Sequence, residues 1–492
     1  MTAGEDSYQN SVSKVIARIN RIPTWSLPNS FLLIIGIGYF FTFYDISDIG
    51  FAMPAIDVQF HIPSGSFLSL FLALAVGLLG YAIGSYAIGT FADLNGRFRS
   101  MVLTMGLTAV GSFGDALSIN IPMLAVFRFI TGLGLGADLN LISTYISEFA
   151  PAESRARITV YTFLVGIIGQ AVTPFIALGL VHETGSGWRY LFLIGGIIAA
   201  IAVALRTQLP ESPRWLMATK RDLKSAEEIV TKMENSARKK IGDLPEPSLE
   251  KVELEDNKFP TEFLFSQPYS SRLAILGGMW FFWYIGNYAF LGDAATIVNN
   301  AGISITSSIL YIAIGAIGYP FGAALMILSA DKYERKYIIC ADTVVWLIGM
   351  VIFSFGTSYT LTAGSFVASL ALGMYLQVAY TFTAESYPTR ARTSGFALTD
   401  GIGHSGGALG AILLPILVSA YSFSAGFIFI GITGFIAGLF ALAGPMASRR
   451  TLEMVSGETG KPAGPNIGNN LFILILITIV AVSAWGITAV LA

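Results

Sequence analysis

Residues 89–99 read GTFADLNGRFR, and the acid-then-base spacing of this stretch returns 238 positions later as Asp331-Lys-Tyr-Glu-Arg335-Lys336. A second echo lies further on. Glu148-Phe-Ala-Pro151-Ala-Glu-Ser-Arg155 is matched, 237 positions later, by Glu385-Ser-Tyr-Pro388-Thr-Arg-Ala-Arg392. Two punctuation marks repeated at nearly one offset indicate an internal duplication. Around the marks the chain is apolar in blocks of about twenty residues, the length that crosses a bilayer core of about 30 Å. The blocks fall at 28–55, 66–89, 100–120, 123–146, 157–181 and 188–206, then at 273–296, 305–329, 337–356, 361–384, 394–419 and 423–446, with a last one at 470–491.

Composition agrees. Of 492 residues, 54% are hydrophobic and 12% charged, where a soluble chain is about 25% charged. A single soluble core stops growing at roughly 250–300 residues, so a lipid bilayer is the solvent this chain requires. The net charge of −2 is evenly mixed and predicts no nucleic-acid partner. One cysteine, Cys340, excludes an internal disulfide framework and a cysteine metal cluster. Residues 1–27 are polar and contain Pro23, so they do not read as a signal peptide. With three histidines and no Gly-Lys phosphate loop, neither an enzyme, a cofactor nor ATP-driven transport has support.

Lysine and arginine set the orientation, because basic residues concentrate on the cytoplasmic side. Of the 29, 27 lie before the first span or in every second loop; Arg128 is inside a span and Arg189 at an opposite boundary. The N-terminus is therefore expected in the cytoplasm of a cell (plasma) membrane. The predicted fold is an all-α integral membrane protein of two six-helix bundles, 1–206 and 273–446. A cytoplasmic linker, 207–272, carries an amphipathic helix over 222–240, and 470–491 adds a C-terminal transmembrane helix. Parallel repeats around a midplane site are a transporter architecture.

A charged side chain at the bilayer centre costs about 3 kcal/mol or more, so each one present asks for a reason. Asp45 and Asp48 share a face of the first span, and Arg128 lies in the fourth. At 1.5 Å per residue, Asp48 is about 10 Å deep, Asp45 about 15 Å and Arg128 about 9 Å, all in the outer half. Depth favours Asp48 as the partner of Arg128. Asp138 follows about 15 Å deeper and roughly 80° round the helix. In the eleventh span Asp400 and His404 face the same way, a second coupling or substrate candidate, since a histidine can titrate near neutrality. Asp115 and Asp342, near span ends, are expected to be solvated or structural. For the substrate, Trp280, Trp283, Tyr284, Asn287 and Tyr288 cross the midplane in the seventh span, joined by Gln170, Gln377 and Tyr380. Aromatics with a few polar groups suit a small ring or a short organic acid.

GTFADLNGRFR (89–99) resembles the cytoplasmic loop motif of the major facilitator superfamily. RFITGLGLG (128–136), ISEFAPAESRAR (146–157), LPESPRWL (209–216) and AESYPTRARTSG (384–395) resemble its sugar-porter and metabolite–proton symporter branches. The resemblance covers twelve spans and implies alternating access, with two bundles rocking around a central site. It assigns Asp93, Arg97, Glu148, Arg155, Glu211 and Arg214, with Asp331, Arg335, Glu385 and Arg392, to an inner gate of charge pairs that form in one state and separate in the other. The second loop has Glu334 where the family has glycine, so its gate is expected to be weaker.

Tyr44-Asp45 with Pro54 nine residues on resembles the first span of proton-coupled relatives, which favours Asp45 as the proton carrier and Arg128 as its switch. A carboxylate beside a guanidinium stays ionised, and one that loses it in a dry site takes up a proton. Relatives in the organic-acid branches usually carry arginine near position 404. The phosphate branch has an aspartate after the glycine motif, as Asp138 here, but its seventh-span aspartate is absent. The paired glutamines of sugar porters are also missing from the seventh span. The expected function is proton symport of a small metabolite, an organic or aromatic acid or a sugar, by a monomer. An uncoupled facilitator or proton-driven exporter is the alternative; phosphate transport and a non-transporting sensor are minor ones.

Overall fold

The computed structural model describes residues 3–62, 76–181, 185–249 and 264–458. The thirteenth apolar run, 470–491, and the start of the second, 66–75, lie outside the described residues. Every element described is helical. Ten helical segments among the described residues, one of them broken in the middle, are long and apolar enough to cross a membrane. Two more pack among them: Val76–Asn95, and Tyr269–Asn300, whose Trp, Tyr and Asn lower its hydropathy.

The first half contains α1 (Ala3–Asn20), α2 (Asn29–Gln59), α3 (Val76–Asn95), α4 (Arg97–Leu117), α5 (Ile121–Phe149), α6 (Arg155–Leu180) and α7 (Gly187–Arg206). The linker carries α8 (Leu223–Ile241), started by the Asp222 carboxylate accepting from Ser225 N. The second half runs through α9 (Tyr269–Asn300), α10 (Ile305–Ala316), α11 (Gly318–Ser329), α12 (Arg335–Phe353), α13 (Ser358–Glu385), α14 (Arg392–Ala420), α15 (Phe423–Leu442) and the short α16 (Leu452–Ser456). The eighth apolar run is thus two helices with a break at Ile317. Pro320 has no N–H to offer the carbonyl of residue 316, so the ladder lapses there.

The duplication is visible in the packing. In the first half α2 lies on α6, α3 on α5, and α4 on both α5 and α7. In the second, α9 lies on α14, α10 and α11 on α13, and α12 on both α13 and α15. The halves meet along two related seams, α3 with α14 and α6 with α10 and α11. Within the first half, the glycines of the fourth span make the close packing of α3 on α5 possible. A Cβ at Gly132 or Gly136 would run into the backbone oxygens of Gly77 or Tyr81, so α3 and α5 touch backbone to backbone.

Sequence reading missed α1. Its buried Val12, Val15, Ile16 and Ile19 recur at helical spacing, and that stripe lies on α8. Glu234 of α8 is held by Arg18 at 2.7 Å and Arg21 at 2.6 Å. Burial pushes the Glu234 carboxyl up, but the hydrogen bonds and charges of the two arginines outweigh it and hold it below the usual range.

Candidate functional site

The ten motif residues from the loops converge in one charged layer at the basic face. Asp93, at the end of α3, reaches across to the first turn of α14 and accepts from Ser394 N at 2.7 Å and Thr393 N at 3.3 Å. Asp331, after α11, does the same to α6, accepting from Ala156 N and Arg157 N, both at 3.1 Å. Unpaired amides and the positive end of the helix dipole make such first turns good seats for a carboxylate. Glu148 lies between Arg97 of its own half (3.0 Å) and Arg392 of the other (3.2 Å). Glu385 lies between Arg335 of its own half (2.9 Å) and Arg155 of the other (2.7 Å). Each seam is therefore closed by one helix-capping aspartate and one glutamate shared by two arginines.

Glu211 accepts from Arg97 N at 3.0 Å. Burial pushes its carboxyl up from the ordinary value, against the backbone N–H groups of Ser212, Arg97 and Phe98. Arg214 donates to the Glu148 carbonyl at 3.0 Å and pairs with Glu453 of α16. Glu453 was not legible beforehand, since nothing in its local sequence announces a partner 239 residues away. The Gly/Glu difference between the loops has a physical basis. Gly96 sits at φ +114°, where a side chain is strained, and faces Glu211. Glu334 sits at φ −67° and its carboxylate accepts from Ala447 N at 2.7 Å and Ser448 N at 3.2 Å, tying down the chain after α15. Arg335 pairs with Glu385 regardless.

A second group lies inside the first half. Arg128 Nη1 is 3.2 Å from Asp45 Oδ2 and 3.5 Å from both Asp48 Oδ1 and Asp115 Oδ2. Ser112 Oγ donates to Asp45 Oδ1 at 3.2 Å. Of the two expectations for Asp115, solvated or structural, the first does not hold: it is fully buried beside Arg128. The end of α4 is covered from α7, where Arg189 donates to the Ala116 carbonyl at 2.8 Å. Asp342, a second presumed span-end residue, is also buried, at 1% exposure.

Asp138 does not join the central group. Arg206, from the far end of α7, crosses over Gly38 and clasps its carboxylate, with Nη2 2.9 Å from Oδ2. Thr104 Oγ1 donates to it at 2.7 Å and Thr42 Oγ1 at 3.3 Å.

The central group sits between the halves. His404 stacks on Tyr81 of α3, ring centroids 3.6 Å apart, and its Nε2 is 2.8 Å from the Tyr288 hydroxyl. Tyr284 donates to Asp400 Oδ1 at 3.0 Å and lies 3.4 Å, oxygen to oxygen, from Tyr380. Trp280 stacks on Tyr380 and donates to Thr383 at 2.9 Å. Asn140 and Tyr81 also face the Asp400 carboxylate. Trp283, on the same helix, points elsewhere: it stacks on Tyr375 at 3.7 Å inside the second half. Gln170, Gln377 and Asn287 are buried, each with a side-chain polar atom that has no hydrogen-bond partner. Tyr81 and Asn140 were missed; a polar residue in a span was a signal for Asn140, whereas Tyr81 had none. A cavity of 30 Å³, room for about one or two waters, lies between the two groups, lined by Arg128, Gly132, Leu135, Tyr81 and Tyr288.

Two repeated bundles, buried charge in the membrane interior and a polar aromatic centre at their seam define a transport protein, not an enzyme. The family model described as sugar (and other) transporter matches residues 31–457, and the chain belongs to that family. Among relatives, the putative metabolite transport protein YyaJ of Bacillus subtilis is 26% identical over 424 residues, 85% of this chain and 92% of its own length. The 4-hydroxybenzoate transporter PcaK of Acinetobacter baylyi is 28% identical over 379 residues, covering 76% of this chain and 81% of PcaK. The putative niacin/nicotinamide transporter NiaP of B. subtilis is 27% identical over 401 residues, 79% of this chain and 88% of NiaP. Among solved structures, the proton:xylose symporter XylE bound to 6-bromo-6-deoxy-D-glucose superposes with a TM-score of 0.71 at 20% identity, over 91% of this chain and 99% of XylE.

Proposed function

We propose that this transporter is a proton-coupled symporter of a small aromatic or organic acid, acting as a monomer in the plasma membrane with its N-terminus and charged layer on the cytoplasmic side. The observation that carries this reading is the adjacency of two groups, a carboxylate–arginine cluster and a tyrosine-rich centre, separated only by a water-sized cavity. Tyr284, Tyr288 and Tyr380, with Trp280, offer ring faces for stacking and hydroxyls for a carboxylate. His404 and Asp400 fix those hydroxyls. Two relatives are named for 4-hydroxybenzoate and niacin, both aromatic. In this reading the ten charged residues of the basic face are the inner gate, here closed. Asp45 carries the proton and Arg128 senses it. Asp138 with Arg206 fixes the first bundle and stands outside the substrate path.

A sugar is the second reading, favoured by the Gln377 amide and the Asn287 Oδ1, buried without hydrogen-bond partners, which suit hydroxyl groups. Liposomes holding a pH dye, offered 4-hydroxybenzoate, nicotinate, xylose and phosphate in turn, separate these. Internal acidification with an aromatic acid, abolished by Asp45→Asn, is the expected result. Isotope uptake without proton movement, unchanged in the variant, would leave a facilitator.

A further inference from the structure

Three carboxylates share one cation in the outer half of the first bundle. Asp45, Asp48 and Asp115 all stand within 3.5 Å of the same Arg128 nitrogen. Ionised together they would leave two uncompensated charges where a single one costs about 3 kcal/mol or more. The surroundings supply little relief. The groups facing the cluster are Ser112 of α4, Thr131 of α5, Tyr44 of α2, whose hydroxyl is turned to the Leu191 carbonyl, and, across the small cavity, Tyr81 of α3 and Tyr288 of α9; Arg189 of α7 is occupied at the Ala116 carbonyl. Asp48 Oδ2, Asp115 Oδ1 and Arg128 Nε are buried with no hydrogen-bond partner. The set is thus built with spare acceptors and a spare donor.

The three acids are not equivalent. Asp45 and Asp48 ride on α2, which packs mainly on α6 and α7 and only lightly on α5, whereas Asp115 rides on α4, which packs on α7 and extensively on α5, the helix of Arg128. Thr131, one turn along from Arg128, donates to the Asp115 oxygen that faces the arginine, at 3.3 Å. Asp115 is thus tied to the helix of Arg128 through Thr131, without passing through α2.

We propose that Asp115 is the alternate counter-ion of Arg128, taking the guanidinium when Asp45 is protonated and returning it when Asp45 releases its proton. This rests on the proton-coupled reading above. In the step, one proton from outside water forms an O–H bond on Asp45, the Asp45–Arg128 ion pair opens, and the Asp115–Arg128 pair tightens. Nothing is oxidised or reduced. Without a second ionised carboxylate beside it, protonating Asp45 would strand Arg128 as a buried, unpaired cation; Asp48 is as near as Asp115 but shares the helix of Asp45, whereas Asp115 is carried by α4. Asp115 thereby sets the proton concentration at which the switch turns.

The test follows the protonated-carboxyl infrared band of the full-length protein in liposomes, without solute, as pH is stepped. The wild type is expected to give a transition that Asp45→Asn removes. Asp115→Asn should keep that transition but need about tenfold more protons to reach its midpoint, a shift of about one pH unit. Thr131→Val, which only frees the Asp115 side chain, should move it the same way by less, and serves if Asp115→Asn does not fold. Curves for both variants that superimpose on the wild type would overturn the role of Asp115. A transition that survives Asp45→Asn would instead sink the coupling reading itself.

Discussion

The two halves share a packing scheme and differ in chemistry at matching positions. Shifted by the repeat offsets, Thr104 and Asp138 correspond to Asp342 and Tyr375. In the first half the pair is bonded at 2.7 Å and neutralised by Arg206. In the second, both Asp342 oxygens and the Tyr375 hydroxyl are buried with no hydrogen-bond partner. Tyr375 is instead stacked under Trp283. Likewise Asp115 and Arg128 correspond to Phe353 and Ser365, and Phe353 sits in an aromatic cluster with Phe290 and Phe427. Duplication kept the helix contacts. It did not keep what the interior holds: the first half became the charged partner and the second the aromatic one.

The largest effect should come from testing that asymmetry directly. Asp138→Asn leaves Arg206 buried beside a neutral amide and should lower unfolding stability by about 3–5 kcal/mol. Asp342→Asn breaks no ion pair or hydrogen bond and should change stability by no more than about 1 kcal/mol, the net worth of a single hydrogen bond. Denaturation of both variants in detergent measures this, and equal losses would break the comparison.

The charged layer, in contrast, is symmetric. Glu148→Gln and Glu385→Gln each weaken two charged hydrogen bonds, one within the half and one across a seam, worth on the order of 1.5–3 kcal/mol apiece. Both variants should favour opening of the basic face to a similar degree, read by labelling of a cysteine introduced beneath the layer. A response from only one would reveal that Glu334 has made the second seam independent of the first.

Smaller still is the contrast within α9. Tyr288→Phe loses its bond to His404, a net of about 1 kcal/mol or roughly a fivefold rise in KM. Trp283→Phe, facing the second half's interior, should leave KM unchanged; the reverse result would move the substrate away from the seam.

The smallest effect belongs to the linker. Glu234 is held below the usual carboxylate range, so its pairing with α1 is fully present above that range. It is lost as pH falls through the depressed value. Proteolysis at residues 3–20 should rise only in acid, below about pH 4, and by an amount matching about 1 kcal/mol, since Arg18 is part-exposed. Increased cleavage at neutral pH would show that Glu234 does not hold α1.

Much of this protein was determined by local sequence. Apolar block length set the spans, and repeated loop motifs set the two halves and the members of the charged layer, because a bilayer dictates helix length and orientation residue by residue. The tertiary structure decided the pairings. Arg206 reaching Asp138, Asp115 joining Asp45 at Arg128, Glu453 meeting Arg214 and Tyr81 stacking on His404 all join different spans or loops. Helical periodicity gives the face a residue occupies but not the helix it meets, so partners across a seam are fixed only when the bundles pack.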